Sequence, residues 1–216
     1  YALRLERALC AGGVPVALVG YCMGGTLALA AALRQPRRVR RLALLATPWD
    51  FHADNREEAL RVADLFRRWK PACMPSGVLP VPLLQSLFAL PDPLSASRKF
   101  IRFADATDPD EIRRFVALED WLNDGIPLTL PAAEDCFSGW YERNTLAEGE
   151  GWTVGDTPVD PARLDMPTLV MLPEEDRIVP PASAAALAAA IRFRTRTRVP
   201  LGHVGMIVSR NAPRLV

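Results

Sequence analysis

The chain has 216 residues, of which 50% are hydrophobic and 24% are charged, so a globular protein with a buried core is expected and a disordered chain is excluded. Its 26 Lys and Arg residues balance 25 Asp and Glu residues, which argues against binding of nucleic acid through net charge. We find no apolar run as long as a membrane span and no signal peptide, so a cytoplasmic location is expected.

The cysteines favour the same compartment. The chain has 4 of them, and none is placed in a C-x-x-C spacing, so the sequence predicts neither a metal site nor a disulfide framework. A reducing cytosol would keep such thiols free for chemistry. We also expect no cofactor. The four positions are Cys10, Cys22, Cys73 and Cys136.

The first elements frame a short glycine-rich motif. A helix is predicted over residues 2–11, followed by a glycine pair and a strand over residues 14–20, and a second helix is predicted to run to about Arg34. Between that strand and helix lies a G-x-C-x-G sequence with Cys22 at its centre. This resembles the G-x-S-x-G nucleophile elbow of α/β hydrolases, with cysteine in place of serine.

The elbow geometry predicts covalent catalysis through Cys22. A side chain at Gly20 or Gly24 would collide with the neighbouring strand or helix, which explains the glycines. The amino end of the following helix would stabilise a thiolate, and the backbone N–H of Met23 would help to hold an oxyanion. The alternative is an inert, buried cysteine in an ordinary turn between strand and helix.

The middle of the chain has a different texture. A strand over residues 41–46 leads to His52, for which a loop or capping role is expected. Helical patterns over residues 57–69, 95–103 and 109–121 then alternate with proline-rich connections. An insertion at this point is typical of a lid, so we assign residues 1–50 and 164–216 to an α/β-hydrolase core and residues 51–163 to a helical lid.

An acid and a histidine follow in the last part of the chain. A buried parallel strand is predicted over residues 167–173, and Glu174, Glu175 and Asp176 come directly after it. His203 follows another short strand candidate, and its order after nucleophile and acid is that of the α/β hydrolases. Asp176 is preferred over its two neighbours because it precedes the point where the chain turns back into the fold, and in part because the family resemblance favours it. The basic residues 192–198 are expected on one face of an edge strand, before which a helix is predicted over residues 181–191.

Taken together, these segments resemble the catalytic domain of poly(3-hydroxyalkanoate) synthases. The resemblance extends over nearly the whole chain and rests on the cysteine motif with its following glycine pair, the strand that ends in Asp-Phe, and the acid and histidine loops. It also includes a Trp-Asn-Asp segment and a Tyr-x-x-Asn-x-Leu helix. The residues concerned are Cys22, Asp50, Phe51, Trp121, Asn123, Asp124, Tyr141, Asn144, Leu146, Asp176 and His203.

The resemblance implies a fold, a reaction and partners. The fold would be a mostly parallel sheet flanked by helices, and the chain looks like a fragment that lacks the N-terminal strands. The substrate would be 3-hydroxyacyl-CoA, polymerised through an acyl-cysteine on Cys22, with His203 as base and Asp176 as its partner. Trp121, Asn123 and Asp124 would bind substrate, although a helix end with a buried Trp121 explains them equally well.

Several questions stay open from the residues alone. The apolar segment 78–90 could line a product channel, contact a second subunit in a homodimer, or touch a polyester granule, and packing in a core is the simplest explanation. A thioesterase or esterase with the same three residues is an alternative to the polymerase. A third alternative is a non-catalytic relative on the granule surface.

Overall fold

The computed structural model describes residues 14–90, 94–148 and 151–209, and it divides the chain into two compact units. One unit is formed from Tyr1–Ala63 together with Ser138–Val216, and the other is Asp64–Phe137. The helix predicted over residues 2–11 lies outside the described residues. The predicted lid, residues 51–163, extends beyond the second unit on both sides, and its role as a lid stays a prediction.

The described residues form strands and helices that alternate in the first unit and are mostly helical in the second. The strands are β1 (Val16–Tyr21), β2 (Val39–Leu45), β3 (Val78–Leu79), β4 (Leu128–Thr129), β5 (Thr153–Val154), β6 (Thr157–Pro158), β7 (Thr168–Pro173) and β8 (Arg194–Val199). The α-helices are α1 (Met23–Arg34), α2 (Arg56–Cys73), α3 (Val81–Ala89), α4 (Ser95–Ala104), α5 (Pro109–Asn123), α6 (Leu130–Glu134), α7 (Pro181–Ala190) and α8 (Gly205–Val208). A π-helix (Asp135–Glu142) and a 3-10 turn (Pro161–Arg163) complete the set.

A four-stranded parallel sheet forms the centre of the first unit, with the strands in the order β1, β2, β7, β8. Strand β7 is buried at every residue but Leu169, because a parallel sheet covered on both faces requires an apolar run and not an alternation. Each fully buried Leu or Val of such a strand stabilises the fold by about 1.5–3 kcal/mol. The strands predicted over residues 41–46 and 167–173 are thereby confirmed, with small differences at their ends.

Alanine-rich helices cover this sheet. Helix α1 packs against β1 and β2, and helix α7 packs against β7. In α1 the buried positions include Leu29 and the three alanines that follow it, and small side chains allow a helix to approach the strands closely. Helix α7 repeats the pattern with a buried Leu187 between Ala184 and Ala188. Both helices agree with the sequence prediction.

Strand β8 is the last strand of the described sheet and pairs with β7 along one side only. Its three arginines, Arg194, Arg196 and Arg198, are exposed, and only Val199 at its end is buried. Charged residues on an edge strand hinder pairing with another chain. The prediction of a basic edge strand is therefore confirmed for the part of the sheet that the structure describes.

The second unit is mainly helical. Phe103 and Phe115 of helices α4 and α5 stack with ring centroids 3.9 Å apart, and β3 pairs with β4 in an antiparallel manner. The three helices predicted between residues 57 and 121 all form, with α2 running on to Cys73. The apolar segment 78–90 packs only in part, because Leu87 is buried while Phe88 is 55% exposed.

Candidate active site

Cys22 stands at the turn between β1 and α1 in a strained backbone conformation. Its φ of 54° and ψ of −134° are unusual for a residue with a side chain, and such strain amounts to roughly 1–3 kcal/mol. Two hydrogen bonds hold the turn: the Cys22 N–H donates to the carbonyl of Leu45 at 2.9 Å, and the Gly25 N–H donates to the carbonyl of Cys22 at 2.9 Å. The strain presents the thiol at the carboxyl end of the sheet.

The glycines around Cys22 differ in what they require. A Cβ built on Gly20 would lie 2.5 Å from the Cα of Gly25, and one built on Gly25 would lie 1.9 Å from the hydroxyl of Thr47. A Cβ on Gly24 would meet nothing within 4 Å. The prediction of a collision is therefore right for Gly20 and wrong for Gly24. The second close approach is at Gly25, where the first turn of helix α1 passes the loop after β2.

Met23 is the first residue of helix α1. The first four N–H groups of an α-helix have no acceptor within the helix, so this N–H is available beside Cys22 for a negatively charged oxygen. The location agrees with the predicted oxyanion role. That role stays a prediction, because it depends on where a substrate carbonyl would bind.

Asp176 lies three residues beyond β7 and its side chain is buried. One carboxylate oxygen accepts hydrogen bonds from the N–H groups of Ile178 and Val179, both at 2.8 Å, and the other lies 2.6 Å from Nδ1 of His203. Glu174 is instead at the surface, 3.3 Å from Arg198, and Glu175 is exposed. Of the three acids after β7, Asp176 is thus the one in contact with the histidine.

His203 is 8% exposed and lies beside both Asp176 and Cys22. Since Nδ1 faces the carboxylate, the second ring nitrogen, Nε2, is the one left to take the proton of the neighbouring Cys22 thiol. Burial alone lowers the pKa of His203. The hydrogen bonds to Asp176 and Cys22, with the negative charge of both groups, outweigh burial and raise that pKa from 6.5 to about 9.

Tyr21 is a further component of this site that the motif did not single out. Its ring centroid lies 4.8 Å from that of His203, and its hydroxyl donates to the backbone carbonyl of His203 at 3.1 Å. Burial, followed by the charges of Cys22 and Asp176, raises the pKa of Tyr21 well above its usual range, so the phenol keeps its proton. The only signal in the sequence was the position of Tyr21 directly before the nucleophile.

His52, the second histidine, lies elsewhere and takes part in a loop network. Its ring nitrogen Nε2 is 2.9 Å from the carbonyl of Tyr141, and its backbone N–H donates to the carboxylate of Asp50 at 2.9 Å. Asp50 also accepts a hydrogen bond from the side-chain NH₂ of Asn144 at 2.9 Å, and Oδ1 of the same side chain accepts from the backbone N–H of Phe51. The loop role predicted for His52 is confirmed, and Asp50 and Asn144, both part of the sequence resemblance, are bonded to each other.

Trp121, Asn123 and Asp124 lie at the end of helix α5 in the second unit. Trp121 is 55% exposed, so the expectation that it is buried is wrong. Asn123 donates to the carbonyl of Glu119 and accepts from Gln85, and Asp124 caps the helix. These contacts account for the segment as a helix end, and substrate binding by the three residues stays a prediction.

Two searches of the described residues concern other kinds of site. Within residues 14–90, 94–148 and 151–209, no group of three or more His, Cys, Asp or Glu side chains is arranged to hold a metal ion. In the same ranges, no helix combines the length and apolar character needed to cross a membrane.

The parallel sheet, the strained residue after β1 and the acid and histidine after β7 and β8 are the arrangement of an α/β hydrolase. Residues 9–209 match the family model described as alpha/beta hydrolase fold, so the chain belongs to that family. Solved structures agree on the fold. A monoacylglycerol lipase of Paleococcus ferrophilus superposes with a TM-score of 0.55 at 16% identity, covering 99% of this chain and 70% of that one. Rv0554 of Mycobacterium tuberculosis gives 0.55 at 16%, covering 98% and 66%.

Within this fold, the chain is similar to poly(3-hydroxyalkanoate) polymerase subunits PhaC, as the sequence resemblance predicted. It is 28% identical over 211 residues to that of Thiocystis violacea, covering 93% of this chain and 57% of the relative. It is 30% identical over 198 residues to that of Haloferax mediterranei, covering 89% and 40%. The chain therefore spans about half the length of the curated relatives it matches.

Proposed function

We propose that this chain carries the catalytic centre of an acyltransferase that polymerises 3-hydroxyacyl-CoA into polyester with release of CoA. The single observation that carries the proposal is the strained cysteine at the elbow beside a buried His203 that Asp176 holds through Nδ1. The similarity to PhaC subunits supports the choice of polyester synthesis among the reactions that this arrangement could perform.

In the proposed first half-reaction, Cys22 is acylated. His203 takes the proton of the Cys22 thiol, and the raised pKa of His203 makes it a stronger base for this transfer. The sulfur attacks the thioester carbonyl carbon, and the Met23 N–H stabilises the oxyanion. The bond from carbon to the CoA sulfur then breaks, and the proton on His203 passes to CoA as it leaves. Losing one oxyanion donor typically lowers the rate by about 10²–10³-fold.

In the second half-reaction, the 3-hydroxyl of another unit accepts the acyl group. His203, now neutral, takes the hydroxyl proton while the oxygen attacks the acyl-cysteine, and an ester bond forms as the Cys22 sulfur leaves with the proton on His203. Asp176 orients the imidazole in both halves and balances its charge. Cysteine suits the exchange because a thiolate is both a good nucleophile and a good leaving group. The proposed partners are 3-hydroxyacyl-CoA, a second copy of the chain and the polyester granule surface in the cytoplasm.

The test follows CoA and the acyl group together, in the full-length protein with 3-hydroxybutyryl-CoA and with longer 3-hydroxyacyl thioesters. Release of CoA with insoluble polyester is the expected result. Release of CoA with free 3-hydroxy acid would make the protein a thioesterase with the same fold and the same three site residues. No release from any of these substrates, with Cys22 intact, would contradict the proposal and favour a non-catalytic relative.

A further inference from the structure

Tyr21 contacts His203 in two independent ways, through its ring and through its hydroxyl. We infer that Tyr21 is a positioning residue: its hydroxyl fixes the backbone of the loop that carries His203, and its ring supports the imidazole from the side. The inference rests on the proposed function only for the reaction that the site would catalyse. The geometry of Tyr21, His203 and Cys22 does not depend on the substrate.

The hydroxyl contact holds a carbonyl of the histidine loop, whereas the carbonyls on either side of it accept from backbone N–H groups. The Met206 N–H donates to the carbonyl of Gly202 at 3.1 Å, and the Glu175 N–H donates to that of Leu201 at 3.2 Å. The carbonyl of His203 itself accepts from the phenol of Tyr21. Because rotation of this peptide would swing the imidazole, the hydroxyl restrains the direction of Nε2. The raised pKa of Tyr21 keeps the phenol protonated, and therefore a donor, to a higher pH than usual.

The ring contact bears on the charge of the imidazole. Asp176 faces Nδ1, Cys22 lies beside the imidazole as well, and Tyr21 lies against it with the two ring planes inclined by 36°. Cys22 and Asp176 are the groups whose charges raise the pKa of His203, and Tyr21 contributes a titratable ring from β1. An aromatic ring within about 6 Å of a cation stabilises it. Tyr21 thus favours the protonated form of His203 that the thiol creates.

Tyr21 is itself held from behind, which a positioning residue requires. Its side chain packs against a buried cluster of residues from the ends of β2, β7 and β8 and from helix α8. The cluster consists of Ala46, Met171, Val199 and Met206. A ring fixed by this cluster cannot move away from the imidazole without opening the core.

Two variants separate the two contacts in the full-length protein. Tyr21→Phe keeps the ring and removes the hydroxyl, and we expect alkylation of Cys22 by iodoacetamide at pH 7 and kcat to fall about fivefold, with KM unchanged. Tyr21→Leu removes both the ring and the hydroxyl. We expect the pKa of His203 to fall by about one pKa unit in an NMR titration, and the alkylation rate to fall further than in Tyr21→Phe. Phe193→Leu, a ring removed from a surface position, serves as the matched control.

The outcomes are distinct. Wild-type alkylation in Tyr21→Phe, or an unchanged titration of His203 in a folded Tyr21→Leu, would overturn the inference, because a residue that only fills the core moves neither readout. If Tyr21→Leu does not fold, Tyr21→Phe decides alone. Alkylation and titration need no acyl substrate. A protein that releases no CoA but shows both effects would therefore refute the proposed function and leave the role of Tyr21 intact.

Discussion

Replacing Asp176 by asparagine tests the interaction on which the histidine depends. The amide oxygen can still accept from the N–H groups of Ile178 and Val179, so the loop after β7 should keep its shape. The amide NH₂ would then face Nδ1 of His203, and that nitrogen would have to accept a hydrogen bond instead of donating one. The imidazole proton would move to Nε2, where it prevents transfer from the Cys22 thiol.

The expected magnitude follows from the pKa of His203. The difference between about 9 and the ordinary 6.5 corresponds to about 3 kcal/mol of imidazolium stabilisation, or somewhat more than a hundredfold in proton affinity. The hydrogen bond to Asp176 is the largest contribution that raises this pKa, and burial would oppose the charge once it is gone. We expect Asp176→Asn to release CoA at least about a hundredfold more slowly, with the loss reaching about 10⁴-fold if the tautomer is fully reversed.

The assay measures CoA release at fixed times and titrates labelled histidine by NMR. The signal of His203 is assigned as the one that is lost in His203→Asn. Glu175→Gln is the matched control, because Glu175 is an exposed acid next to Asp176 and its structural contact uses only the backbone N–H. The reasoning would be refuted by Asp176→Asn that works within about threefold of wild type while His203 still titrates near 9.

Three further predictions follow from the same site. Cys22→Ala should abolish CoA release while keeping the fold. Cys22→Gly should be equally inactive but more stable than Cys22→Ala to urea by about 1 kcal/mol, because glycine relieves the positive φ. Equal stability of the two variants would contradict the strain. Gly20→Ala should lower the free energy of unfolding by more than about 2 kcal/mol, because its Cβ would lie 2.5 Å from the backbone of Gly25. Gly24→Ala should change that free energy by less than about 1 kcal/mol. Similar losses for the two variants in urea titrations would argue against this packing. The pKa of His203 is higher in the folded state, so protonation of His203 stabilises the fold fully below about pH 6.5, and this stabilisation is lost as pH rises through about 9. His203→Asn should therefore show a smaller fall in Tm over this pH range. An identical fall in Tm in the variant and the wild type would refute the prediction.

The parallel core could be predicted from the sequence because its signals are local. The apolar run of β7, the alanine-rich helices and the glycine-flanked cysteine each specify one element and its place in a strand-turn-helix order. Strand pairing then brings the residues after β1, β7 and β8 to one edge of the sheet without further information. This is why Cys22 and His203 could be singled out before any contact was known, whereas choosing Asp176 among three adjacent acids also needed the family resemblance.

Contacts between distant segments could not be predicted in this way. Tyr21 and His203 are 182 residues apart, and the pairing depends on a backbone carbonyl, which every residue has. The exposure of Trp121 could not be predicted, because an aromatic residue at a helix end does not reveal whether other segments will cover it. The π-helix over Asp135–Glu142 had no signal either, since its spacing departs from the period that a helix search uses.

The error at Gly24 shows how the motif and the packing differ in what they require. In the motif, the two glycines are symmetric about the nucleophile, but in the structure the contacts are not, because Gly20 faces the helix start and Gly25 faces Thr47 while Gly24 points into open space. The two tight contacts pull the start of α1 against the ends of β1 and β2, and the Leu45 carbonyl fixes Cys22 between them. The strained thiol is therefore held by both neighbouring strands, and Tyr21 ties the same strand end to His203. Cys22 and the residue that contacts His203 are therefore neighbours at one strand end, so β1 restrains both sides of the proposed proton transfer.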